Sequence, residues 1–140
     1  MVKIDVVDCD GSEFDDLCTV LHGLLNQAQQ GDVAVYAPQA YAFSLIVDEN
    51  QVGGLVGEVL WDWFYIKLLA VDPSYQGKGF GACLVEKAEE TARERSCSGI
   101  WVNTYSFQAP NFYTRLGFKE FGRLNDNPVG HDRIFLAKPF

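Results

Sequence analysis

The chain has 140 residues, 48% of them hydrophobic and 21% charged, the balance of one globular domain spanning residues 1–140. Its 11 Lys and Arg against 19 Asp and Glu leave a formal net charge of −8. That charge argues against nucleic acid and against anionic membranes as partners, because both are held by clustered Lys and Arg.

The opening residues, MVKIDVVDCDGSEFDD, carry acids where an export signal needs an apolar run. No stretch reaches the roughly 18 apolar residues of a membrane span. Cys9, Cys18, Cys83 and Cys97 form no C-x-x-C pair, and His22 and His131 stand far apart. A metal site is therefore not expected. Reduced, mostly buried thiols in a cytoplasmic protein are.

Residues 2–7 alternate weakly and predict a short strand. Residues 12–29 predict an amphipathic helix, with Phe14, Leu17, Cys18, Leu21, Leu25 and Ala28 on one face and Ser12 as its N-cap. Gly31 suits the exit, and residues 32–39 read as a loop. Residues 41–47 then place Tyr41, Phe43, Leu45 and Val47 on one face of a strand, and Asp48, Glu49 and Asn50 supply a turn. A second strand covers 52–61 and turns near Trp61-Asp62-Trp63. The run FYIKLLAV, residues 64–71, has the near-continuous apolar character of a strand buried on both faces.

Asp72-Pro73 ends that strand, and a helix follows over 80–95 with Phe80, Leu84, Ala88, Thr91 and Ala92 as its apolar stripe. Residues 100–104 predict a strand, Pro110 to Gly117 a short helix, and 118–124 and 132–137 a last pair of strands. The order β-α-β-β-β-α-β-α-β-β makes an α/β (α+β) chain, a mixed, mostly antiparallel sheet flanked by helices.

Between the third of these strands and its helix lies Gln76-Gly77-Lys78-Gly79-Phe80-Gly81. Glycines let the backbone turn tightly and let an anion approach it, and the start of the helix supplies free N–H groups. Gly77, Gly79 and Ala82 also satisfy G-x-G-x-x-A, but a dinucleotide fold wants an acid about 20 residues on, where the chain has Ile100, Trp101 and Val102. A Walker loop would need glycine at Asp72. Both nucleotide readings fail on context.

The segment LAVDPSYQGKGFGACLVEKAEE, residues 69–90, resembles the acyl-CoA signature Q/R-x-x-G-x-G/A of the GNAT superfamily of N-acyltransferases, met here by Gln76, Gly79 and Gly81. Residues 104–118, TYSFQAPNFYTRLGF, resemble the family's second signature through Ala109, Phe112, Tyr113, Gly117 and Phe118. Within the superfamily, GGLVGEVLWDW and the ending GHDRIFLAKPF resemble a group of small bacterial acetyltransferases.

The resemblance implies that acetyl-CoA donates its acetyl group to an amine by direct attack on the thioester. It implies that Gly77, Lys78, Gly79, Phe80, Gly81 and Ala82 take the pyrophosphate, and that Leu69, Ala70 and Val71 lie along the pantetheine arm on a strand splayed from its neighbour. A backbone N–H near Leu69 or Ala70 would stabilise charge developing on the carbonyl oxygen. Ser106 stands where the family often has Asn near the cofactor arm, close to Ala109. Tyr113 is the general acid by position, a phenol that is neutral at physiological pH. Arg115 could reach the coenzyme's phosphates, the alternative being an exposed helix arginine.

The family's usual strand glutamate is replaced by Tyr65, which leaves Glu58 as the expected base. Its apolar surroundings would favour a raised pKa, and ordered water is the alternative proton acceptor. No metal is implied. His131 is a substrate-side candidate. Trp61 and Trp63, with Ile134, Phe135 and Phe140, offer apolar surface for a homodimer. Residues 20–40 and the last hairpin would set the acceptor, a small molecule or a protein amine. The acidic chain favours a cationic one. The competing reading is a non-catalytic acyl-CoA sensor, which would share the loop and not need Tyr113.

Overall fold

A computed structural model describes residues 1–28 and 31–140, which form two compact units, Met1–Tyr36 and Ala37–Phe140. In the first unit, helix α1 runs from Ser12 to Ala28. Its apolar positions follow the expected spacing, yet none of its residues is buried. Gln29, expected as its last residue, lies outside the described residues. The Tyr36 amide donates to Asn26 Oδ1 at 3.1 Å, and the Tyr36 ring lies 4.8 Å from that of His22. Residues 2–7 form no strand, contrary to the sequence expectation. Val2, Ile4 and Val6 are fully or nearly exposed. A strand needs a ladder partner, and weak alternation alone does not provide one.

The second unit is a six-stranded sheet with helices on one face. Its strands are β1 (Gln39–Val47), β2 (Asn50–Leu60), β3 (Trp63–Val71), β4 (Gly99–Tyr105), β5 (Lys119–Asn125) and β6 (Asp132–Pro139), in the spatial order β1-β2-β3-β4-β6-β5. Only β3 and β4 run parallel; the other neighbours are antiparallel. The β1–β2 turn places Asp48 at φ 49° and Glu49 at φ 67°. Positive φ at both central residues is what matches a two-residue turn to the twist of a hairpin.

Helices α2 (Phe80–Glu94) and α3 (Pro110–Arg115) cover one face. Leu84, Val85, Ala88 and Ala92 of α2 join Leu55, Phe64, Ile66, Ile100, Val102, Ile134 and Leu136 from the strands. Tyr113 and Phe118 close the same core. Each fully buried Val, Leu, Ile or Phe among them contributes about 1.5–3 kcal/mol. The predicted stripe on α2 is correct except that Val85, not Phe80, is buried.

The expectation that β3 is buried on both faces does not hold. Phe64 and Ile66 are buried, but Leu68 is 68% exposed on the face without helices in this unit. The thiols also differ from expectation: Cys97 is buried, Cys18 is half-buried, and Cys9 and Cys83 are exposed. Among the described residues no helix is long and apolar enough to cross a membrane.

Gly57 permits a close approach in this sheet. A Cβ there would stand 2.5 Å from both the Phe64 ring and the Tyr65 carbonyl oxygen. Gly57→Ala is expected to cost about 2–3 kcal/mol, as overpacking does. Urea denaturation should show a lower midpoint with unchanged slope; a midpoint equal to wild type would mean that β3 yields at this point.

Candidate active site

Strand β3 pairs with β4 over four rungs, from Trp63↔Gly99 to Ile66↔Val102. Beyond them β3 continues to Val71 and β4 to Tyr105, but the two no longer pair. The cause lies on the other edge of β3. Gly57 of β2 faces Ile66, and the next residue back, Val56, faces Leu68. Lys67 is therefore an extra residue, and a bulge of this kind bends its strand. The bend opens a fork between β3 and β4.

A cavity of about 680 Å³ occupies the fork. Leu69, Ala70 and Val71 line it from β3, and Gln76, Gly77, Gly79, Phe80, Gly81 and Ala82 from the loop and the start of α2. Ala109 and Tyr113 line it from the α3 side. The fork thus brings together most of the residues selected from the sequence. Lys78 and Ser106 do not line it. Lys78 Nζ lies 5.3 Å above the Tyr75 ring. Ser106 Oγ accepts from the Asp132 amide at 3.0 Å, which ties it to β6.

Local bonds fix the loop. Asp72 donates its amide to the Val52 carbonyl at 2.7 Å and accepts from the Ser74 amide at 2.8 Å, capping the 3-10 turn Pro73–Tyr75. Gln76 Nε2 donates to the Val71 carbonyl at 3.0 Å. Gly77 and Gly79 have φ of 74° and 83°, a left-handed conformation that other residues adopt only with strain. Gly79 is the N-cap of α2 and offers no side-chain cap. The first helical bond runs from the Cys83 amide to the Gly79 carbonyl at 3.1 Å. The amides of Phe80, Gly81 and Ala82 precede it and face out of the helix end, a ready anion site. Gly81 also lets α3 approach: a Cβ there would lie 3.2 Å from the Phe112 ring.

Tyr113 is 7% exposed and packs edge-to-face on Phe112 and Phe118, with ring centroids 5.0 and 5.6 Å away. Burial pushes its phenol up to about 12. None of the hydrogen bonds among the described residues uses its hydroxyl, and that oxygen is not sealed into the core.

Glu58 stands apart from the cavity. It faces Tyr65 across the β2–β3 pair, on the sheet face opposite the helices, and its carboxylate binds Lys67 Nζ at 2.8 Å. His131 is exposed in the β5–β6 turn, its ring 5.0 Å from that of Phe107. Trp61 is exposed and Trp63 half-buried, beside an apolar groove that they share with Trp101 and Phe121.

Thr104, Gln108 and Tyr75 line the fork without having been selected from the sequence, and Phe112 of the second signature and Arg115 line it as well. Thr104 Oγ1 donates to Gln108 Oε1 at 3.1 Å. Alternation along β4 was the available signal, since Ile100, Val102 and Thr104 share the buried face. Another hollow, of about 480 Å³, lies against β1 and β2. Its lining contains no ionisable side chain, so it has shape without acid–base chemistry.

Comparison with known proteins agrees with this geometry. The profile described as "Acetyltransferase (GNAT) family" matches residues 13–118. A blasticidin-S acetyltransferase from Streptomyces morookaense is 44% identical over 87 residues, which cover 61% of this chain and 64% of that protein. A crystal structure of an acetyltransferase from Bacillus cereus superposes with a TM-score of 0.82 at 26% identity, covering 99% of this chain and 98% of that one. A Bacillus anthracis acetyltransferase, solved in complex with acetyl coenzyme A, shares the fold with a TM-score of 0.68 at 23% identity, over 74% of this chain and 64% of that one. With more than half of its length matched by the profile, the chain belongs to the acetyltransferase (GNAT) family.

Proposed function

We propose that this protein transfers an acetyl group from acetyl-CoA to the amine of a small molecule. The observation that carries the reading is the fork, which opens one cavity onto a glycine loop at a helix start, an unpaired strand edge and a buried phenol. These features fit the cosubstrate part by part. The amides of Phe80, Gly81 and Ala82 would hold the pyrophosphate, with Arg115 at the cavity wall to add positive charge. The β3 edge at Leu69, Ala70 and Val71 presents backbone groups that an amide-rich arm can pair with. Acetyl-CoA supplies a thioester activated toward attack by nitrogen.

The remaining work falls to this chain. A β3 amide near Leu69 or Ala70 donates to the carbonyl oxygen as charge develops there. Tyr113 donates its proton to the departing sulfur, and a phenol held up to about 12 is protonated at every physiological pH. Glu58 lies on the opposite face of the sheet from Tyr113, the side from which an amine would approach the fork. Because Lys67 already binds Glu58, we assign the amine's proton first to water at that face, with Glu58 as its later acceptor. The profile match spans both compact units, which supports reading residues 1–140 as one acyltransferase domain. The unpaired cysteines accord with a reducing, cytoplasmic setting.

The name of the blasticidin-S acetyltransferase supports a small-molecule acceptor. Incubation with acetyl-CoA and a panel of amines, with free thiol as readout, tests the reaction. Thiol release that depends on an amine is expected. Release with none of them, together with thermal stabilisation by coenzyme A, would identify a sensor instead. Tyr113→Phe should lower kcat about 10²-fold with little change in coenzyme A affinity. An unchanged kcat would remove Tyr113 as the acid.

The phenol also makes a prediction about pH. Its folded pKa lies above the ordinary value near 10, so the unfolded chain loses this proton first as pH rises. The stability that Tyr113 contributes is complete below pH 10 and is lost as pH climbs through about 12. Tyr113 should ionise only well above the ordinary phenol range. Tyrosinate absorbance of wild type and Tyr113→Phe should coincide up to about pH 10.5, given the reference value. A variant with measurably lower tyrosinate absorbance there would contradict this assignment.

A further inference from the structure

The open face of the sheet holds a second polar arrangement beside the fork. Arg133 Nε donates to Asn103 Oδ1 at 2.8 Å, and Asn103 Nδ2 donates to the Tyr65 hydroxyl oxygen at 2.7 Å. The chain of bonds has one direction. Arg133 fixes which end of the Asn103 amide faces it, and Asn103 occupies a lone pair of Tyr65. The Tyr65 hydroxyl hydrogen is left to donate outward. Trp101 stacks on the Tyr65 ring at 4.1 Å and holds it in place.

Arg133 is unusual among the cations. Lys78, Arg93, Arg95, Arg115 and Lys119 also lack an ion pair among the described residues, but all are exposed. Arg133 is half-buried and has no carboxylate partner there, in a chain with 19 acidic residues. The rings of Tyr105 and Phe135, 5.8 and 5.5 Å away, flank its guanidinium. Its terminal nitrogens make no hydrogen bond among the described residues. A half-buried, oriented guanidinium beside a phenol donor is complementary to a planar oxyanion.

Position gives this arrangement its use. The last paired rung of the fork is Ile66↔Val102, so Asn103 is the first residue of β4 beyond it. We infer that Arg133 and Tyr65 form an anion subsite of the acceptor, and that the acceptor carries a carboxylate in addition to its amine. The amine enters at the fork and the carboxylate docks on the guanidinium. Asn103 is a positioning residue, since it aims both donors. The amine half of this inference rests on the acetyl-transfer reading; the anion half does not.

The experiment separates the two halves. Benzoate and its neutral isostere benzamide are titrated into the protein while the Arg133 Nε–H and the Trp101 indole N–H are followed by NMR. Benzoate should shift both saturably, and benzamide neither. Tyr65→Phe should weaken benzoate about threefold, the net worth of an ordinary hydrogen bond, and Arg133→Gln tenfold or more, in line with loss of a hydrogen bond between charged groups. Arg133→Lys, which keeps the charge and loses the fork of donors, should fall between. Amines are then offered in pairs, as carboxylate and as carboxamide. The ratio of kcat/KM within a pair should favour the carboxylate and fall about tenfold in Arg133→Gln. Equal responses to benzoate and benzamide, or a ratio that Arg133→Gln leaves unchanged, would overturn the subsite. Benzoate bound at Arg133 with no amine acetylated would end the acetyl-transfer reading and leave the anion site. Acetylation indifferent to the carboxylate would do the reverse.

Discussion

One inserted residue governs the site. Lys67 is the extra residue of β3 against β2, and the pairing of β3 with β4 stops at its neighbour Ile66. Two parallel strands that stayed paired to their ends would leave no slot between them. The backbone groups of Leu69, Ala70 and Val71 would then be spent on a ladder rather than offered to a ligand. The cavity, the approach of the glycine loop to it and the position of Tyr113 above it all follow from that parting.

The fork also explains how an acidic protein can bind an acidic cosubstrate. A net charge of −8 repels coenzyme A at long range. The loop answers with backbone dipoles, which carry no net charge and lose nothing to the surrounding field. Side-chain cations near the fork are few, with Arg115 on the wall of the cavity and Lys78 off it. The opposite face is organised differently. There Glu58 is neutralised by Lys67, while Arg133 keeps its charge among aromatic rings. The sheet separates the neutral phenol of Tyr113 on one face from Glu58, Lys67 and Arg133 on the other.

How much of this could be read from the residues depended on the range of the interaction. The strands and helices from residue 39 onward follow periodicity and turn chemistry, and their observed bounds differ from the expected ones by one or two residues. Asp48-Glu49 and the Gly77 and Gly79 positions reveal themselves locally, because turns and left-handed residues are local constraints. Residues 2–7 misled because alternation says nothing about whether a partner strand exists. FYIKLLAV misled because its hydrophobicity reflects a fork and an open face rather than burial on both sides.

The site divides along the same line. Gly79, Gly81 and Tyr113 were legible through contiguous signatures, whereas Thr104 and Gln108 join the cavity by strand alternation and by the turn that follows β4. Asn103 belongs to the open face, where Tyr65 and Arg133 meet it from 38 and 30 residues away. Glu58 appeared isolated in an apolar stretch, and its partner Lys67 became visible only once the bulge set the register.

The central claim is that the parted strands and the glycine loop together form the coenzyme site. Backbone amide shifts recorded during a titration with coenzyme A test it without reference to any acceptor. The largest changes should fall on Leu69–Val71 and Gly77–Ala82, on both sides of one cavity. Changes centred instead on Gly53–Val56, around the hollow against β1 and β2, or none at saturating coenzyme A, would contradict the account.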